Sequence, residues 1–264
     1  MLPEALILEP REVIALVGGG GKTTALLMLA GDLAAGGARV AVTTSTAMWV
    51  RELAGAGPLV LHGPGEELRR SLQRAFKSSP VVAVAHSAKR DGKVVGLRPT
   101  QIDTLWAEGL ADFLIIEADG SRHKSLKAFA PYEPQVPTAA TAVVQVAGLD
   151  VIGQRLSEEQ ARRSALLAAE NDVQMGAEVT PHLMCKALRR QNERLRRAWP
   201  QARLLTLLNK AEEEAALTAG LQLGQNLLYG AGLTADGFRV GAKPDAVVVA
   251  SLQEKRFIRL RALG

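Results

Sequence analysis

The chain contains few of the residues that mark several large classes of protein. Its single cysteine, Cys185, excludes an internal disulfide and a multi-thiolate metal site, and its apolar neighbours predict a core position. Aromatic residues make up only 4% of the sequence and no basic run is interleaved with them, so nucleic-acid binding is not expected despite a net charge of +5. The sequence has neither a charged-then-apolar leader nor an apolar run of about 18 residues, so we predict a cytoplasmic protein that does not cross a membrane.

The chain does contain enough apolar residues to build a large core, at 47% of 264 positions. Segments typical of buried strands alternate with segments typical of helices, which predicts an α/β fold with a mainly parallel sheet flanked by helices. We expect a single domain over residues 1–264, with a lid-like loop at about 119–140 and a mostly helical segment at about 157–199. A capping box is expected to begin that helical segment at Ser157.

A glycine-rich stretch follows the first predicted strand, at residues 13–17. Its members are Gly18, Gly19, Gly20, Gly21, Lys22, Thr23 and Thr24. Glycine lets backbone N–H groups converge on an anion, and a helix that begins near Lys22 adds its positive dipole end, so this junction is suited to phosphate. Lys22 is predicted to reach the outer phosphates of a nucleotide, and Thr23 to bind Mg²⁺. The stretch therefore predicts a P-loop NTPase-like three-layer sandwich.

The spacing of this loop differs from that of a Walker A motif. Such a motif has glycine six positions before its lysine, where this chain has Leu16, so the loop is two residues shorter. The shortened form resembles the phosphate loop of Mur-type peptidoglycan ligases. Phosphate binding is still predicted, while the subclass of P-loop protein stays open.

Two acids follow a later apolar strand, at residues 113–116. Glu117 and Asp119 precede Gly120, where a Walker B element is expected beside the phosphate loop. A carboxylate there holds Mg²⁺ or positions the attacking water, and the glycine N–H meets the terminal phosphate. The spacing resembles the Asp-x-x-Gly element of GTPases, with glutamate in place of aspartate as in the nickel-insertion GTPases of urease and hydrogenase maturation.

A third motif follows the strand predicted at residues 203–208. Asn209-Lys210-Ala211-Glu212 resembles the Asn-Lys-x-Asp element with which GTPases bind guanine, but the acid is one methylene longer. Gly241-Ala-Lys243, beside a strand predicted at 238–242, faintly resembles the Ser-Ala-Lys element that contacts the base in GTPases. The resemblance implies a nucleobase site in which GTP is slightly favoured over ATP.

Three further segments have open interpretations. The four hydroxyl residues 43–46 end the second strand and are typical of a switch segment near Mg²⁺, although any one of them could simply cap the next helix. The basic residues between 121 and 137 either compensate phosphate charge or are solvated. The basic helix at 186–197 is interpreted as a solvated face, with an acidic partner surface as the alternative.

Taken together, these motifs resemble the YqeC family from residue 13 to about 212. The residues that carry the resemblance are the glycine loop, the hydroxyl segment, Ile116-Glu-Ala-Asp-Gly-Ser-Arg122, Lys127, Glu133-Pro134, Val136-Pro137, Gly148-Leu-Asp-Val-Ile-Gly153 and Asn209-Lys210. The family resemblance implies an accessory protein of selenium-dependent molybdenum hydroxylases, acting in maturation of the enzyme or insertion of its cofactor.

Three functions are compatible with these features. The first is an Mg²⁺-dependent NTPase with Lys22, Glu117 and Asp119 as catalytic residues and GTP or ATP as ligand. The second is a nucleotide-dependent carrier or chaperone that hydrolyses little and docks a molybdoenzyme or its cofactor. The third takes the Mur-like loop literally and predicts an ATP-dependent ligase.

Overall fold

The computed structural model describes residues 1–230 and 241–261, so most of the strand predicted at 238–242 lies outside the described residues. The described chain forms two compact units. Unit 1 comprises Met1–Val17, Lys22–Gly120 and Glu133–Ala142, and unit 2 comprises Gly18–Gly21, Ser121–Tyr132 and the described residues from Val143 onward. The expectation of a single domain stays a prediction.

The main sheet has nine strands, most of them parallel, and helices pack on it, which confirms the predicted fold class. The strands of unit 1, the first of which extends to Gly18, are β1 (Glu12–Gly18), β2 (Val40–Thr44), β3 (Met48–Trp49), β4 (Leu59–Leu61), β5 (Val81–Ala85), β6 (Ser87–Ala88), β7 (Lys93–Val95) and β8 (Phe113–Glu117). The helices of unit 1 are α1 (Leu2–Ala5), α2 (Lys22–Ala35), α3 (Val50–Ala54), α4 (Gly65–Ser78) and α5 (Pro99–Ala107).

In unit 1, five strands run parallel in the order β1-β8-β2-β5-β4. β1, β2, β5 and β8 are buried along their whole length, as their continuous apolar sequences predict for strands covered on both faces. Residue pairing is Leu16 with Glu117 and Thr44 with Glu117. The carboxyl ends of β1, β8 and β2 therefore meet at one edge of the sheet, where ligands of α/β proteins bind.

A small antiparallel sheet, β3-β7-β6, explains why the third helix is shorter than predicted. The sequence predicts a helix over 47–53, but Met48 and Trp49 pair with β7 and the helix begins at Val50. β6 and β7 form a hairpin around Asp91-Gly92, a residue pair typical of tight turns, and the φ of Gly92 is +81°.

Unit 2 contributes the remaining elements. Its strands are β9 (Leu126–Lys127), β10 (Ala142–Gly148, of which Ala142 belongs to unit 1), β11 (Ala161–Arg162), β12 (Arg203–Asn209), β13 (Ala246–Ser251) and β14 (Arg256–Arg261). Its helices are α6 (Ser164–Asn171), α7 (Pro181–Ala198) and α8 (Glu214–Tyr229), and a 3₁₀ turn spans Leu149–Val151. The order in the main sheet is β14-β13-β12-β10, with β13 and β14 antiparallel, and a core of aliphatic side chains from α6, α7, α8 and the strands fills this unit.

The predicted helix start at Ser157 is wrong. α6 begins at Ser164, because Ala161 and Arg162 pair with β9 and Arg163 has a left-handed φ of +58°. The cap is supplied by Glu158, whose carboxylate accepts hydrogen bonds from the Ser164 N–H at 2.8 Å and from its hydroxyl at 3.1 Å. Residues 172–180 are also not helical.

The interpretation of the basic helix as a solvated face is also wrong for part of α7. Arg189 is only 6% exposed, and its guanidinium donates to the carbonyl of Leu227. Arg194 donates to the carbonyls of Phe129, Ala130 and Pro131. Arg194 therefore holds residues 129–131, and Arg189 is bonded to α8.

Candidate functional site

Unit 1 gathers four of the predicted site residues around one buried ammonium. Lys22, the first residue of α2, is 3% exposed. Its Nζ lies 3.1 Å from Oδ1 of Asp119 and 3.8 Å from Oε1 of Glu117. Asp119 is fully buried and Glu117 is 9% exposed. A cation and two carboxylates are thus removed from water together, an arrangement that is costly unless the charges compensate one another.

The electrostatics of this cluster keep Lys22 charged. Burial by itself lowers the pKa of Lys22, but the neighbouring Asp119, Glu117 and Glu133 raise it, and the net direction is upward. Burial raises the pKa of Glu117; the Lys22 charge and a hydrogen bond from Thr23 oppose this, while Asp119 adds to it. Lys22 is therefore held in its charged form, and the pKa of Glu117 lies above that of an ordinary glutamate.

Two oxygen ligands suited to Mg²⁺ lie beside this cluster. The Thr23 hydroxyl donates to Oε2 of Glu117 at 2.8 Å. Two neighbouring ligands of an octahedral Mg²⁺ with bonds of about 2.0–2.1 Å are about 2.9 Å apart, so this pair already has the separation that the ion requires. Hydroxyl and carboxylate oxygens are also the donors that Mg²⁺ prefers. The residues present fit the metal.

The end of β2 supports the backbone of Glu117. The Thr44 hydroxyl donates to the Glu117 carbonyl at 3.0 Å, and the Ser45 N–H donates to the same oxygen at 3.1 Å. The Ser45 Oγ is buried and makes no hydrogen bond to the residues that the structure describes. The hydroxyl segment 43–46, which the sequence predicts as a switch, is thus hydrogen-bonded to the backbone of β8 at Glu117.

Glu133 belongs to the charge environment of this cluster and was not predicted as a site residue. It is 9% exposed and raises the pKa of Lys22. The chain returns to this place because the Gln135 N–H donates to the Ala118 carbonyl at 2.8 Å. The sequence offered one signal, the Glu133-Pro134 pair within the family resemblance, but no spacing rule shows that the loop folds back.

Gly120 and Thr24, the other predicted site residues in unit 1, directly follow Asp119 and Thr23 in sequence. A Cβ added to Gly120 would have no heavy atom within 4 Å, so packing does not require glycine there. Thr24 is exposed, and its side chain makes no hydrogen bond to the described residues.

The four glycines belong to unit 2, where three of them pack closely on other backbone. A Cβ on Gly18 would lie 2.3 Å from the Val146 carbonyl oxygen, on Gly19 2.4 Å from that of Lys124, and on Gly20 2.1 Å from the Gly148 nitrogen. Glycine is therefore required here for close approach, and Gly18, Gly20 and Gly21 also have positive φ.

The hydrogen bonds of this loop correct one expectation. The Gly19 N–H donates to the Val146 carbonyl and the Gly20 N–H to the Lys124 carbonyl, both at 2.9 Å. These two groups are thus occupied by protein acceptors and do not converge on an open anion site. The N–H groups of the first turn of α2, which begins at Lys22, have no partner within their own helix and are the donors that the fold supplies for phosphate.

The Asn209 amide holds the glycine loop in unit 2. Its Nδ2 donates to the Gly20 carbonyl at 2.7 Å, and its Oδ1 accepts from the Leu252 N–H at 3.0 Å. Lys210 Nζ contacts Asp150 Oδ2 and Ser125 Oγ, each at 2.7 Å. The Asn-Lys pair is therefore tied to neighbouring backbone and side chains.

Glu212, the acid of the 209–212 element, contacts Ser251 and not the predicted 241–243 segment. The Ser251 hydroxyl donates to Glu212 Oε1 at 2.7 Å. Gly241 instead lies against α7, where an added Cβ would be 2.0 Å from the Arg189 carbonyl oxygen. The residues in contact with Glu212 and Asn209 are instead Ser251, the last residue of β13, and Leu252, which follows it.

Replacing Asn209 tests whether its amide fixes the loop. Asn209→Ala leaves the Gly20 carbonyl and the Leu252 N–H without their partner in a buried place, so we expect a loss of about 1–3 kcal/mol in the free energy of unfolding. Urea denaturation measures this, with exposed Gln222→Ala on α8 as control. Equal stability of the two variants would contradict the clamping role.

In residues 1–230 and 241–261, no cluster of three or more histidine, cysteine or acidic side chains has the geometry to hold a metal ion, so an Mg²⁺ site here depends on Thr23, Glu117 and further ligands from water or nucleotide. No helix in this part of the chain is long and apolar enough to span a membrane.

Comparison with known families decides the relationship. The family model described as YqeC protein matches residues 14–165, more than half of the chain. The chain belongs to the YqeC family. This confirms the resemblance found in the motifs, and the matched range contains the Lys22, Glu117 and Asp119 cluster of unit 1.

A relative in the YqeC family is the "Uncharacterized protein YqeC" of Escherichia coli strain K12. It is 37% identical over 169 residues, which cover 61% of this chain and 63% of that protein. Among solved structures, the PAB0955 GTPase in apo form from Pyrococcus abyssi has 14% identity, a TM-score of 0.38 and coverage of 93% of this chain and 92% of that one. FtsY from Mycoplasma mycoides has 12% identity, a TM-score of 0.28 and coverage of 81% and 48%.

Proposed function

We propose that the chain binds a nucleoside triphosphate with Mg²⁺ and hydrolyses it, and that it binds GTP in preference to ATP. The observation that carries the proposal is the buried cluster of Lys22 with Asp119 and Glu117, with Thr23 bonded to the second acid. The Lys22 ammonium supplies positive charge to a phosphate, and the first-turn N–H groups of α2 supply hydrogen-bond donors. The carboxylates beside Lys22 supply a ligand for Mg²⁺ and an acceptor that orients the attacking water.

The roles of the side chains follow from their charge states. Lys22 stays protonated because of its acidic neighbours, and it neutralises the outer phosphates once they displace it from Asp119. Glu117 and Thr23 would hold Mg²⁺, which neutralises charge on the β- and γ-phosphates when bound. Asp119 then accepts a hydrogen bond from, and orients, the attacking water.

The segment after Gly120 is proposed as the switch. Arg122 and His123 are exposed and both have positive φ, at 52° and 60°, which is strained for residues other than glycine. The next residue, Lys124, accepts the Gly20 N–H. A phosphate that recruits this N–H would release the Lys124 carbonyl, so the glycine loop and residues 121–124 of unit 2 would change together.

Base preference is the part of the proposal that rests on Glu212. Ser251 orients the Glu212 carboxylate by donating to Oε1, and both carboxylate oxygens keep lone pairs that can accept from the two N–H donors of the guanine edge. Adenine offers no equivalent pair of donors at this edge. GTP is therefore expected to bind more tightly than ATP.

Competition titrations test this preference. We expect GTP to bind at least tenfold more tightly than ATP, and Glu212→Ala to bring the two affinities within about threefold, since about 1.4 kcal/mol corresponds to a factor of ten. Glu213→Ala removes the same charge from the next, exposed residue and should leave the preference unchanged. Equal affinities in the unsubstituted protein would remove guanine recognition and leave the phosphate site standing.

The cellular role in this proposal comes from the family resemblance: an accessory factor in maturation of, or cofactor insertion into, a selenium-dependent molybdenum hydroxylase. A nucleotide switch suits such a role, because it couples docking and release of a client to hydrolysis. The molybdenum content of such a hydroxylase in cells lacking this chain is the measurement that bears on the client.

The carrier with little intrinsic hydrolysis is the second candidate. This candidate is favoured because two carboxylates neutralise Lys22. A phosphate must displace those ion pairs before Lys22 can act on it, and this requirement would slow hydrolysis. Tight binding with negligible turnover until a client is added would distinguish it from the NTPase.

A further inference from the structure

A second surface of unit 1 lies along α4, away from the Lys22 cluster. An open groove of about 1140 Å³ runs beside this helix, from Pro64 before its first turn to Lys77 in its last turn. Arg39, just before β2, and Leu110, just before β8, also line it. Both residues precede parallel strands, so this part of the groove is at the opposite edge of the sheet from Glu117.

The charge of this groove is uneven. Four cations line it, Arg39, Arg70, Arg74 and Lys77, against the two acids Glu66 and Glu67. Arg70, Arg74 and Lys77 follow one another at helical spacings of four and three, so they project from one face of α4. Acids in the first turn of α4 and cations near its end also interact favourably with the helix dipole. The dipole of α4 does not explain Arg39, because Arg39 precedes β2.

The cations of the groove are weakly compensated. Arg74 and Lys77 make no ion pair with residues in the described ranges, 1–230 and 241–261, and the Arg70 guanidinium is 3.9 Å from Glu66. Arg39 contacts Asp112 at 3.4 Å, with both side chains about half exposed. Exposed contacts of this kind contribute little, so these positive charges are available to a partner.

An apolar floor accompanies the charges. Phe76 and Leu110 are half-buried and line the groove, and they also line a small apolar cavity directly behind it, together with Leu72 and Trp106. The space behind them is only about 10 Å³, so an added apolar group would pack on the exposed surface of Phe76 and Leu110 and would not enter it. The groove thus combines a cationic rim with a place for one apolar side chain.

We propose that this groove docks an acidic, extended segment of a protein partner that carries one apolar anchor residue. The 14 residues of α4 give a groove of about 21 Å, enough for about six extended residues. Acidic side chains would meet Arg70, Arg74, Lys77 and Arg39, and the anchor would pack on Phe76 and Leu110. A nucleic-acid strand fits less well, because the groove offers one half-buried aromatic ring, Phe76, on which bases could stack.

The test uses a fluorescein-labelled nonapeptide of alternating Glu and Asp with a central Leu, and measures anisotropy with the full chain. We expect micromolar binding that weakens at least tenfold in Arg74→Glu/Lys77→Glu. Lys89→Glu/Arg90→Glu makes the same change of charge on the exposed hairpin turn of unit 1 and should stay within twofold of the unsubstituted protein. Replacing the central Leu of the peptide by Ser should weaken binding several-fold.

Three outcomes would overturn the proposal: no binding of the peptide, equal weakening by the two double variants, or tighter binding of a ten-nucleotide single strand that depends on the same two residues. Triphosphate affinity is measured on every variant and should not change in either double variant. Failure of the groove is thereby separated from failure of the nucleotide site.

Discussion

Lys22→Ala should weaken triphosphate binding tenfold or more, a loss of about 1.4 kcal/mol or above. The reason is that Lys22 is the buried cation of the cluster, held charged by Asp119 and Glu117 and placed at the first residue of α2. Its removal takes the positive charge from the proposed phosphate position and leaves the carboxylates to repel the ligand. Calorimetric titration with GTP and ATP in the presence of Mg²⁺ measures the effect.

The same substitution has a cost in stability that must be measured separately. Removing one partner of a buried ion pair costs about 3–5 kcal/mol when the remaining charge is left without compensation, and Asp119 is fully buried. Circular dichroism establishes whether the variant is folded, and Lys89→Ala on the exposed hairpin is the control. Thr23→Val provides a milder variant, expected to keep the fold and to lose the effect of Mg²⁺ on affinity. Unchanged triphosphate affinity in folded Lys22→Ala would contradict the phosphate-loop assignment.

Glu117→Gln should reduce hydrolysis by about a hundredfold or more, since losing a positioned group that acts on transition-state charge typically costs about 10²–10³ in rate. It should also lower the increase in affinity that Mg²⁺ produces, because Thr23 and Glu117 are the two protein oxygens at the separation the ion requires. Affinity in EDTA should change little. Turnover assays and titrations with and without Mg²⁺ measure the two effects; a variant that still hydrolyses at the original rate would rule out the role of Glu117.

The same variant has a pH dependence with a defined sign. Burial raises the pKa of Glu117 in the folded chain, so ionising this carboxyl costs stability as the pH rises from its unfolded value of 4.5 through the folded one. Glu117→Gln removes that cost. The melting temperature of the variant relative to the unsubstituted protein should therefore increase between pH 4.5 and pH 8, and a difference that falls with pH would show that Glu117 is stabilised as the anion.

The residues that could be placed from the sequence are those that end strands. β1, β2, β5 and β8 of unit 1 are mainly apolar runs, and a parallel sheet brings their carboxyl ends to one edge. For that reason the sequence predicts Lys22, Glu117 and Asp119 as one group, and unit 1 brings the three side chains together. The family membership followed from the same motifs in order along the chain.

What the sequence did not reveal depends on contacts between distant segments. The return of Glu133 to the end of β8 is accompanied by a hydrogen bond from the Gln135 N–H to the Ala118 carbonyl, for which no local pattern exists. The N–H groups of Gly19 and Gly20 were expected to face phosphate, but acceptors at Val146 and Lys124, more than a hundred residues away in sequence, bind them instead.

Local patterns also failed where tertiary pairing competed with them. Ser157 has the spacing of a capping box, yet strand pairing at Ala161 delays the helix and Glu158 becomes its cap. The arginines of α7 have the composition of a solvated face, but Arg194 is engaged by backbone carbonyls of the 129–131 segment. Charge patterns show which residues are polar and do not show which acceptors the fold supplies.

The most direct test of nucleotide binding is a calorimetric titration of the unsubstituted chain with GTP and with ATP, each in Mg²⁺ and in EDTA. The cluster of Lys22, Thr23, Glu117 and Asp119 predicts saturable binding of a triphosphate that is at least tenfold tighter with Mg²⁺, and tighter for GTP than for ATP. Absence of binding to both triphosphates, or affinities that are the same in Mg²⁺ and in EDTA, would contradict it.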